Sequence, residues 1–315
     1  MADTSPKKKG ARFYITSVIL FIVLVFIGDL VTGKVLKYFY SRQTSGWDYE
    51  TKYSVEDTKA DILIFGASRA QQQYIPTFIE DSLGMSCYNV GRDGMSFFYH
   101  YGVLQGVLSR YTPKIILLDC EYGLFKKNES SYERLSSLLP FYHGHPEMRE
   151  VIQLRSPFEK YKMISHTYPY NSLMFKILAG STASGKKKNQ TIKGYLPLTR
   201  ALDEPMRSVD FTEKYEIDTL KVNMLQYFID DCTRRNIKLF MIISPYYIQP
   251  IGEDYSGILI KEAANKNNID FLDYSKEKTF TTNSKLFDDT VHVNTTGAKI
   301  FSAMVASDLK KKLNK

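Results

Sequence analysis

The chain has 315 residues, of which 43% are hydrophobic, and a formal net charge of +8 at pH 7. This apolar content excludes a wholly disordered chain, and the length is enough for one catalytic domain with a sizeable core plus additions. The lysines and arginines are scattered and form no basic stripe with interleaved aromatic residues, so the sequence favours no nucleic-acid partner.

The first predicted element is a transmembrane helix. Residues 13–27 carry no charge, and apolar character continues past Asp29 to Val31. At ~1.5 Å per residue, this stretch of about 19 residues spans ~28 Å, close to the hydrocarbon thickness of a bilayer. The alternatives are a buried core helix, which normally shows a polar stripe, and a cleaved signal peptide, which needs a small-residue cleavage site. The stretch shows neither pattern, so we predict a membrane anchor at residues 13–31.

The charges beside this span predict its orientation. Lysines at positions 7–9 and Arg12 precede it, so the positive-inside rule places residues 1–12 in the cytoplasm and the body of the chain outside the cytoplasmic membrane. Three basic residues on the far side reduce this asymmetry: Lys34, Lys37 and Arg42. Residues 32–57 are polar and aromatic without a clear period, which predicts a stalk leading to the first strand.

The following residues, 58–315, alternate between apolar runs and amphipathic patterns. Short apolar runs predict strands at 61–65, 87–90, 114–119, 238–243 and 269–272. Helical spacing predicts helices near 69–83, 97–110, 215–235 and 254–267, with a last helix after Asn294. Continuous apolar strands separated by amphipathic helices indicate an α/β domain with a parallel sheet covered on both faces.

Residues 120–214 interrupt this alternation. The segment is rich in Tyr, Phe, Pro and His and is too long for a simple crossover loop. We predict an insertion that covers the active-site edge and is partly helical around 147–154 and 171–179. Three of its residues are candidate substrate contacts, with packing inside the insertion as the alternative: Tyr142, His143 and Tyr168.

Metal and disulfide chemistry are not predicted. Cys87, Cys120 and Cys232 are odd in number, lack C-x-x-C spacing and border apolar segments, so we expect buried free thiols. His143 and His145 offer two nitrogen ligands, but no cysteine or carboxylate clusters near them at ligand spacing. We therefore expect two ordinary loop histidines, no metal and no cofactor.

Two short motifs at opposite ends of the domain carry the chemistry. The apolar run at 62–65 is followed by Gly66-Ala67-Ser68, which places a hydroxyl on the turn leaving a buried strand. Near the other end, Asp289 precedes His292 by three residues, so its carboxylate can fold back on the imidazole and fix its tautomer. A serine nucleophile needs such a base and such an orienting acid. The alternatives are a helix N-cap for Ser68, a surface histidine for His292, and Asp288 as the acid.

These motifs, with the glycine segment Asn89-Val90-Gly91-Arg92-Asp93-Gly94 between them, resemble in order the three blocks of the SGNH/GDSL hydrolase superfamily. The resemblance implies a three-layer, flavodoxin-like fold. It also implies that Ser68 is the nucleophile, His292 the base and Asp289 the orienting acid, with the backbone N–H groups of Ser68 and Gly94 as oxyanion-hole donors.

One block of the superfamily is absent. The third oxyanion donor is usually an Asn side chain in a Gly-x-Asn-Asp block after the third strand, but this chain continues there as Cys120-Glu121-Tyr122-Gly123. Loss of one donor typically costs ~10²–10³ in turnover. The departure suggests a specialised enzyme in which the substrate or the insertion supplies the missing group, or a weak enzyme.

The anchor followed by an outward-facing domain is similar to the envelope-modifying branch of the superfamily, which includes teichoic-acid D-alanine transfer and alginate O-acetylation proteins. This similarity implies a membrane-anchored serine acyltransferase or esterase acting on an envelope polysaccharide, glycolipid or teichoic-acid-like polymer. The implied partners are an acylated glycan or lipid-linked substrate, the membrane, and a membrane-bound acyl-donor protein. The alternative is a binding or scaffold protein of an envelope-modification complex that kept the fold and lost activity.

Overall fold

The structure is a computed structural model, and it describes residues 10–174 and 191–314. The basic residues at 7–9 and most of the helix predicted at 171–179 lie outside these ranges. In the described residues, seven strands follow in chain order: β1 Ile62–Phe65, β2 Cys87–Asn89, β3 Ile115–Asp119, β4 Arg207–Asp210, β5 Lys238–Ile243, β6 Ile248–Ile251 and β7 Asp270–Asp273.

Five of these strands form one parallel sheet in the order β2-β1-β3-β5-β7. This is the strand order of a flavodoxin-like, doubly wound sheet. The predicted α/β class and parallel sheet are confirmed, and each of the five predicted strands begins and ends within one residue of the observed one. The three central strands, β1, β3 and β5, were predictable because their apolar runs are buried on both faces of the sheet.

Twelve α-helices lie within the described residues. They are α1 Ala11–Ser41, α2 Trp47–Lys52, α3 Ser68–Gln73, α4 Pro76–Leu83, α5 Phe97–Leu108, α6 Glu129–Glu133, α7 Arg149–Gln153, α8 Glu159–Lys162, α9 Thr219–Arg234, α10 Tyr255–Lys266, α11 Lys278–Thr281 and α12 Thr295–Leu313.

The core lies in two layers, one on each face of the sheet. Leu63 and Phe65 of β1 point into the layer covered by α5, α9 and α10, where the Phe65 ring meets Phe228. Ile62 and Ile64 point into the opposite layer, covered by α3, α4 and α12. Helices therefore cover both faces of the sheet, and loops form the edge at the carboxyl ends of its strands.

The segment predicted as a stalk, residues 32–57, is instead mostly helical and packed on the domain. The helix α1 continues to Ser41, α2 follows, and a π-helical turn covers Tyr53–Asp57. Leu36, Tyr40 and Val55 are buried in the same core layer as the strands. The aromatic residues of this segment show no period because they pack against several different elements rather than along one helix face.

The helix α1 also fits the predicted anchor by length and composition. It is 31 residues long, contains a window with a mean hydropathy of 2.5, and is long and apolar enough to cross a membrane. Its residues 13–27 are exposed in the folded chain.

The described part of the insertion forms short helices packed on α5. The helicity predicted around 147–154 is present as a 3₁₀ turn, Pro146–Met148, followed by α7. The insertion packs closely on α5 at Gly102, because a β-carbon at this position would lie only 2.6 Å from the side chain of Leu138. The strands β4 and β6 pair in a separate two-stranded parallel sheet that the sequence analysis did not predict.

Candidate active site

A sharp turn after β1 carries Ser68. Gly66 has φ +142°, and a β-carbon there would lie 2.8 Å from the β-carbon of Ala70 and 3.0 Å from that of Asp119. Only glycine fits this conformation and this space, which explains the Gly in the motif. Ser68 is the first residue of α3, and none of the described residues accepts a hydrogen bond from its backbone N–H.

The fold brings Ser68, His292 and Asp289 into one chain of hydrogen bonds. Nε2 of His292 lies 2.7 Å from Oγ of Ser68, although 224 residues separate them in sequence. Nδ1 of His292 lies 2.9 Å from one carboxylate oxygen of Asp289 and 3.0 Å from the other. These distances are those of a hydroxyl, an imidazole base and an orienting acid.

Asp289 is held in place by its own loop. Its Oδ1 accepts hydrogen bonds from the backbone N–H groups of Val291 at 2.8 Å and His292 at 2.9 Å. Burial acts to raise the pKa of Asp289, but the hydrogen bonds from the His292 side chain and these N–H groups outweigh it and lower that pKa. Asp288, the alternative acid, accepts a hydrogen bond from the backbone N–H of Arg200 instead.

The glycine segment, residues 89–94, ends beside Ser68. Gly94 has φ +70°, and no described residue accepts a hydrogen bond from its backbone N–H. The adjacent N–H of Asp93 donates to Oε1 of Gln71 at 2.9 Å, and Nε2 of Gln71 donates to Glu50 at 3.1 Å. Buried Glu50 of α2 therefore supports the loop that presents Gly94, a role that the stalk prediction missed.

Ser68 and Gly94 line one open cavity of about 300 Å³. It lies at the carboxyl ends of β1, β2 and β3, where the chain reverses its order in the sheet, the usual ligand position in open α/β folds. The insertion contributes residues between 123 and 134 to the wall of this cavity. This position agrees with the prediction that the insertion covers the active-site edge of the sheet. The remaining charged or amide side chains in the wall are Asp93, Glu121, Lys126, Asn128, Arg134 and Lys221.

The three predicted substrate contacts lie elsewhere in the insertion. The Tyr142 hydroxyl accepts a hydrogen bond from Gln153, the His143 ring stacks on His166, and the Tyr168 hydroxyl donates to Glu159. None of them lines the Ser68 cavity. Their aromatic density is explained by packing within the insertion, so their assignment as substrate contacts was wrong.

Three charged residues near Ser68 were missed by the sequence analysis. Glu121 follows β3 where the superfamily has Asn, and burial raises its pKa. Burial likewise lowers the pKa of Lys221, whose Nζ donates to the carbonyl oxygen of Lys126 at 2.7 Å. Arg134 Nη1 lies 2.5 Å from the position that a β-carbon would take at Gly94. No local pattern marks these residues, because only the fold brings them to the cavity.

The described residues contain no group of three or more His, Cys, Asp or Glu side chains arranged to hold a metal ion. His145 instead lies 3.0 Å from the carboxylate of Glu147. The three cysteines are free and buried, as predicted.

Comparison with known proteins gives matches only among solved structures. No protein-family model and no curated protein matches the chain. A Bacteroides fragilis protein with the provisional description of acylhydrolase is 11% identical, covering 86% of this chain and 100% of its own, with a TM-score of 0.43. An acetyl xylan esterase is 15% identical, covering 80% of this chain and 98% of its own, with a TM-score of 0.38.

Proposed function

We propose that this chain is a membrane-anchored serine esterase or O-acyltransferase. The observation that carries the proposal is the hydrogen-bonded chain from Ser68 through His292 to Asp289. A helix N-cap serine or a surface histidine does not require this geometry. The same cavity is lined by Ser68 and Gly94, whose backbone N–H groups have no acceptor among the described residues.

The proposed reaction passes through an acyl-enzyme. Ser68 Oγ attacks the carbonyl carbon of an acyl ester while its proton moves to Nε2 of His292, and Asp289 stabilises the imidazolium that forms. The N–H groups of Ser68 and Gly94 donate to the oxyanion. Collapse of the tetrahedral intermediate breaks the ester C–O bond, and His292 returns the proton to the leaving alkoxide.

The second half of the reaction releases the acyl group. Water or a sugar hydroxyl attacks the carbonyl carbon of the acyl-enzyme, His292 takes the attacking proton, and Ser68 leaves with that proton. Water gives hydrolysis and a sugar hydroxyl gives transfer. The same residues serve both outcomes, so the acceptor alone distinguishes an esterase from an acyltransferase.

The insertion supplies the side chain that we assign as the third oxyanion donor, Arg134. Its guanidinium lies beside Gly94 in the cavity wall, and no described residue accepts a hydrogen bond from it or pairs with it in an ion pair. A charged donor at this position can replace the absent Asn side chain, because a cation stabilises developing negative charge at least as well as an amide does.

The substrate class that we propose is an acyl ester of a cell-envelope polysaccharide, glycolipid or teichoic-acid-like polymer. Two features support it: the exposed apolar helix α1, which suits an enzyme held at a membrane, and an open cavity that admits one segment of a long polymer. The wall holds three cationic side chains, Lys126, Arg134 and Lys221, and two carboxyl groups, Asp93 and Glu121. This excess of cations favours substrates that carry negative charge. A membrane-bound acyl-donor protein is the partner that a transferase of this kind requires.

A fluorophosphonate probe tests this proposal on the detergent-solubilised full-length protein, with mass mapping of the labelled residue. The probe should label Ser68, and labelling should be lost in Ser68→Ala and strongly reduced in His292→Ala. Ser130→Ala is the matched control, because Ser130 lines the same cavity without contacting His292. A folded wild-type protein that stays unlabelled would instead support the scaffold alternative.

A further inference from the structure

The insertion carries a compact apolar surface at residues 158–164. The side chains of Phe158, Tyr161 and Ile164 are 65%, 58% and 67% exposed. In the described domain outside α1, no other seven-residue window holds three large exposed apolar side chains. Isolated exposed apolar residues are normal on soluble surfaces, whereas a cluster marks a contact surface. We refer to these three residues as the 158–164 patch.

The outward orientation of the patch is built into the helix α8. Glu159 is fully buried and accepts hydrogen bonds from Arg155 at 3.0 Å and from the Tyr168 hydroxyl at 2.6 Å. Met163, four residues later, is also buried. Since residues 159 and 163 hold one side of this turn against the insertion, the patch residues are turned toward solvent.

The loop directly after the patch is fixed to α1. The carboxylate of Asp29 accepts hydrogen bonds from Oγ of Ser165 at 2.6 Å and from the backbone N–H groups of His166 at 2.7 Å and Thr167 at 3.1 Å. One turn along the helix, a β-carbon at Gly33 would lie 2.5 Å from the β-carbon of His166. The patch is therefore joined to α1 at the point where its charge-free, exposed stretch ends.

The charges beside the patch match a lipid surface. Lys160 lies between Phe158 and Tyr161, and its Nζ lies 4.9 Å from the centre of the Tyr161 ring. The other nearby lysine, Lys162, pairs with the buried Glu159 at 3.3 Å. Tyrosine and lysine side chains gather where hydrocarbon meets headgroups, because each has an apolar body and a polar end. Phenylalanine and isoleucine supply the apolar face that enters the acyl boundary. Lysines near the surface are also attracted to anionic phospholipids.

We propose that the 158–164 patch enters the interface of the same bilayer that α1 crosses, with Lys160 at the lipid phosphates. This inference rests on the membrane anchoring in the proposed function. It makes the domain a rigid body attached to the membrane at two points, α1 and the patch. Because residues 32–41 continue α1 without a flexible stalk, the second contact fixes the orientation of the domain over the lipid surface.

The test uses single cysteine substitutions in the full-length protein, labelled with an environment-sensitive nitrobenzoxadiazole fluorophore and reconstituted into vesicles containing anionic phospholipid. The three native cysteines are buried and should not react under native conditions. The test positions are Phe158→Cys and Ile164→Cys. Val25→Cys in α1 reports the anchor, and Tyr227→Cys reports an exposed aromatic position elsewhere on the domain.

Lipids with brominated acyl chains should quench the fluorophore at positions 158 and 164 by at least half of the quenching at position 25, and leave position 227 nearly unquenched. Quenching at 25 without quenching at 158 and 164 would overturn the patch contact and leave the anchor intact. Absence of quenching at all four positions would overturn both. Fluorophosphonate labelling of Ser68 in each variant reports separately on the fold and on the catalytic proposal.

Discussion

At the scale of single residues, the candidate site depends on one short loop that turns an acid back onto a base. Two backbone N–H groups and the imidazole all donate to Asp289, so its carboxylate is held in the ionised form and in one orientation. The imidazole is thereby fixed with Nε2 toward Ser68. This arrangement makes the contribution of each group measurable by a conservative substitution.

Replacing Asp289 by Asn removes the negative charge while keeping the size of the side chain. The imidazolium formed during catalysis loses its stabilising partner, so turnover of a nitrophenyl acetate should fall by about 10²–10⁴. Ser68→Ala and His292→Ala should each leave less activity than Asp289→Asn, because they remove the groups that form bonds or carry the proton. Wild-type turnover in Asp289→Asn would contradict the assigned role of this acid.

Replacing Arg134 by Gln tests the third donor. If the guanidinium stabilises the oxyanion, kcat for a neutral acetyl ester should fall by about 10²–10³, with partial recovery in Arg134→Lys. Arg207→Gln is the control, since Arg207 is exposed and pairs with Glu204 outside the cavity. A change confined to KM for negatively charged esters would assign Arg134 to substrate binding and not to the oxyanion.

Because His100 is buried, we predict that the folded protein loses stability in mild acid. This residue is buried in α5, and burial together with the nearby charge of Arg92 lowers its pKa to about 3. Below pH 6.5 the unfolded chain binds a proton at His100 that the folded chain does not, so the stability falls as the pH falls. Between pH 6.5 and 5 the loss from this residue should be about 2 kcal/mol.

Denaturant unfolding of the detergent-solubilised protein at several pH values measures this effect. His100→Leu cannot take up the proton and should flatten the decline of unfolding free energy between pH 6.5 and 5. The comparison concerns the slope and not the absolute stability, which the substitution also changes. An unchanged slope would show that folding does not lower the pKa of His100.

At the scale of elements, the close contact between α1 and the loop after α8 is the main departure from the predicted organisation. An exposed helix that ends in a stalk would leave the domain free to tilt. Here the face of α1 formed by Asp29, Gly33, Leu36 and Tyr40 packs on the domain. This contact couples the position of α1 directly to that of the insertion.

Gly33→Leu should break this contact, because its side chain would occupy the space of His166. Overpacking of this kind costs about 1–3 kcal/mol, so we expect a lower thermal unfolding midpoint for the solubilised protein. Gly28→Leu is the matched control: a β-carbon at Gly28 meets nothing within 4 Å. Equal midpoints for both variants would mean that α1 does not pack on the loop in solution.

At the scale of the whole molecule, the proposed function requires the domain to face the envelope. The basic residues before the apolar stretch favour a cytoplasmic N-terminus, so we expect the residues after Val31 to lie outside the cytoplasmic membrane. Protease added to intact spheroplasts should therefore digest the domain. If the domain is protected in cells where an exposed control protein is digested, the predicted orientation is wrong.

The sequence by itself determined the sheet and the acid–base pair of the site. The central strands β1, β3 and β5 were predictable because each is a short apolar run that is almost wholly buried, and strand burial leaves a local pattern. The contact between Asp289 and His292 was also predictable, because a three-residue spacing lets the two side chains meet within one loop. Ser68 was predictable as a candidate because it lies on the turn directly after the apolar strand β1.

Only the tertiary structure decided what surrounds these residues. The 2.7 Å contact between Ser68 and His292 depends on strand order, and the places of Glu50, Arg134 and Lys221 depend on how separate segments pack. The burial of residues 32–57 and the fixing of the insertion to α1 at Asp29 have the same origin. Local periodicity reports only which side of an element is buried. The identity of the buried partner is set by contacts between residues far apart in the chain, and these form only once the whole domain has packed.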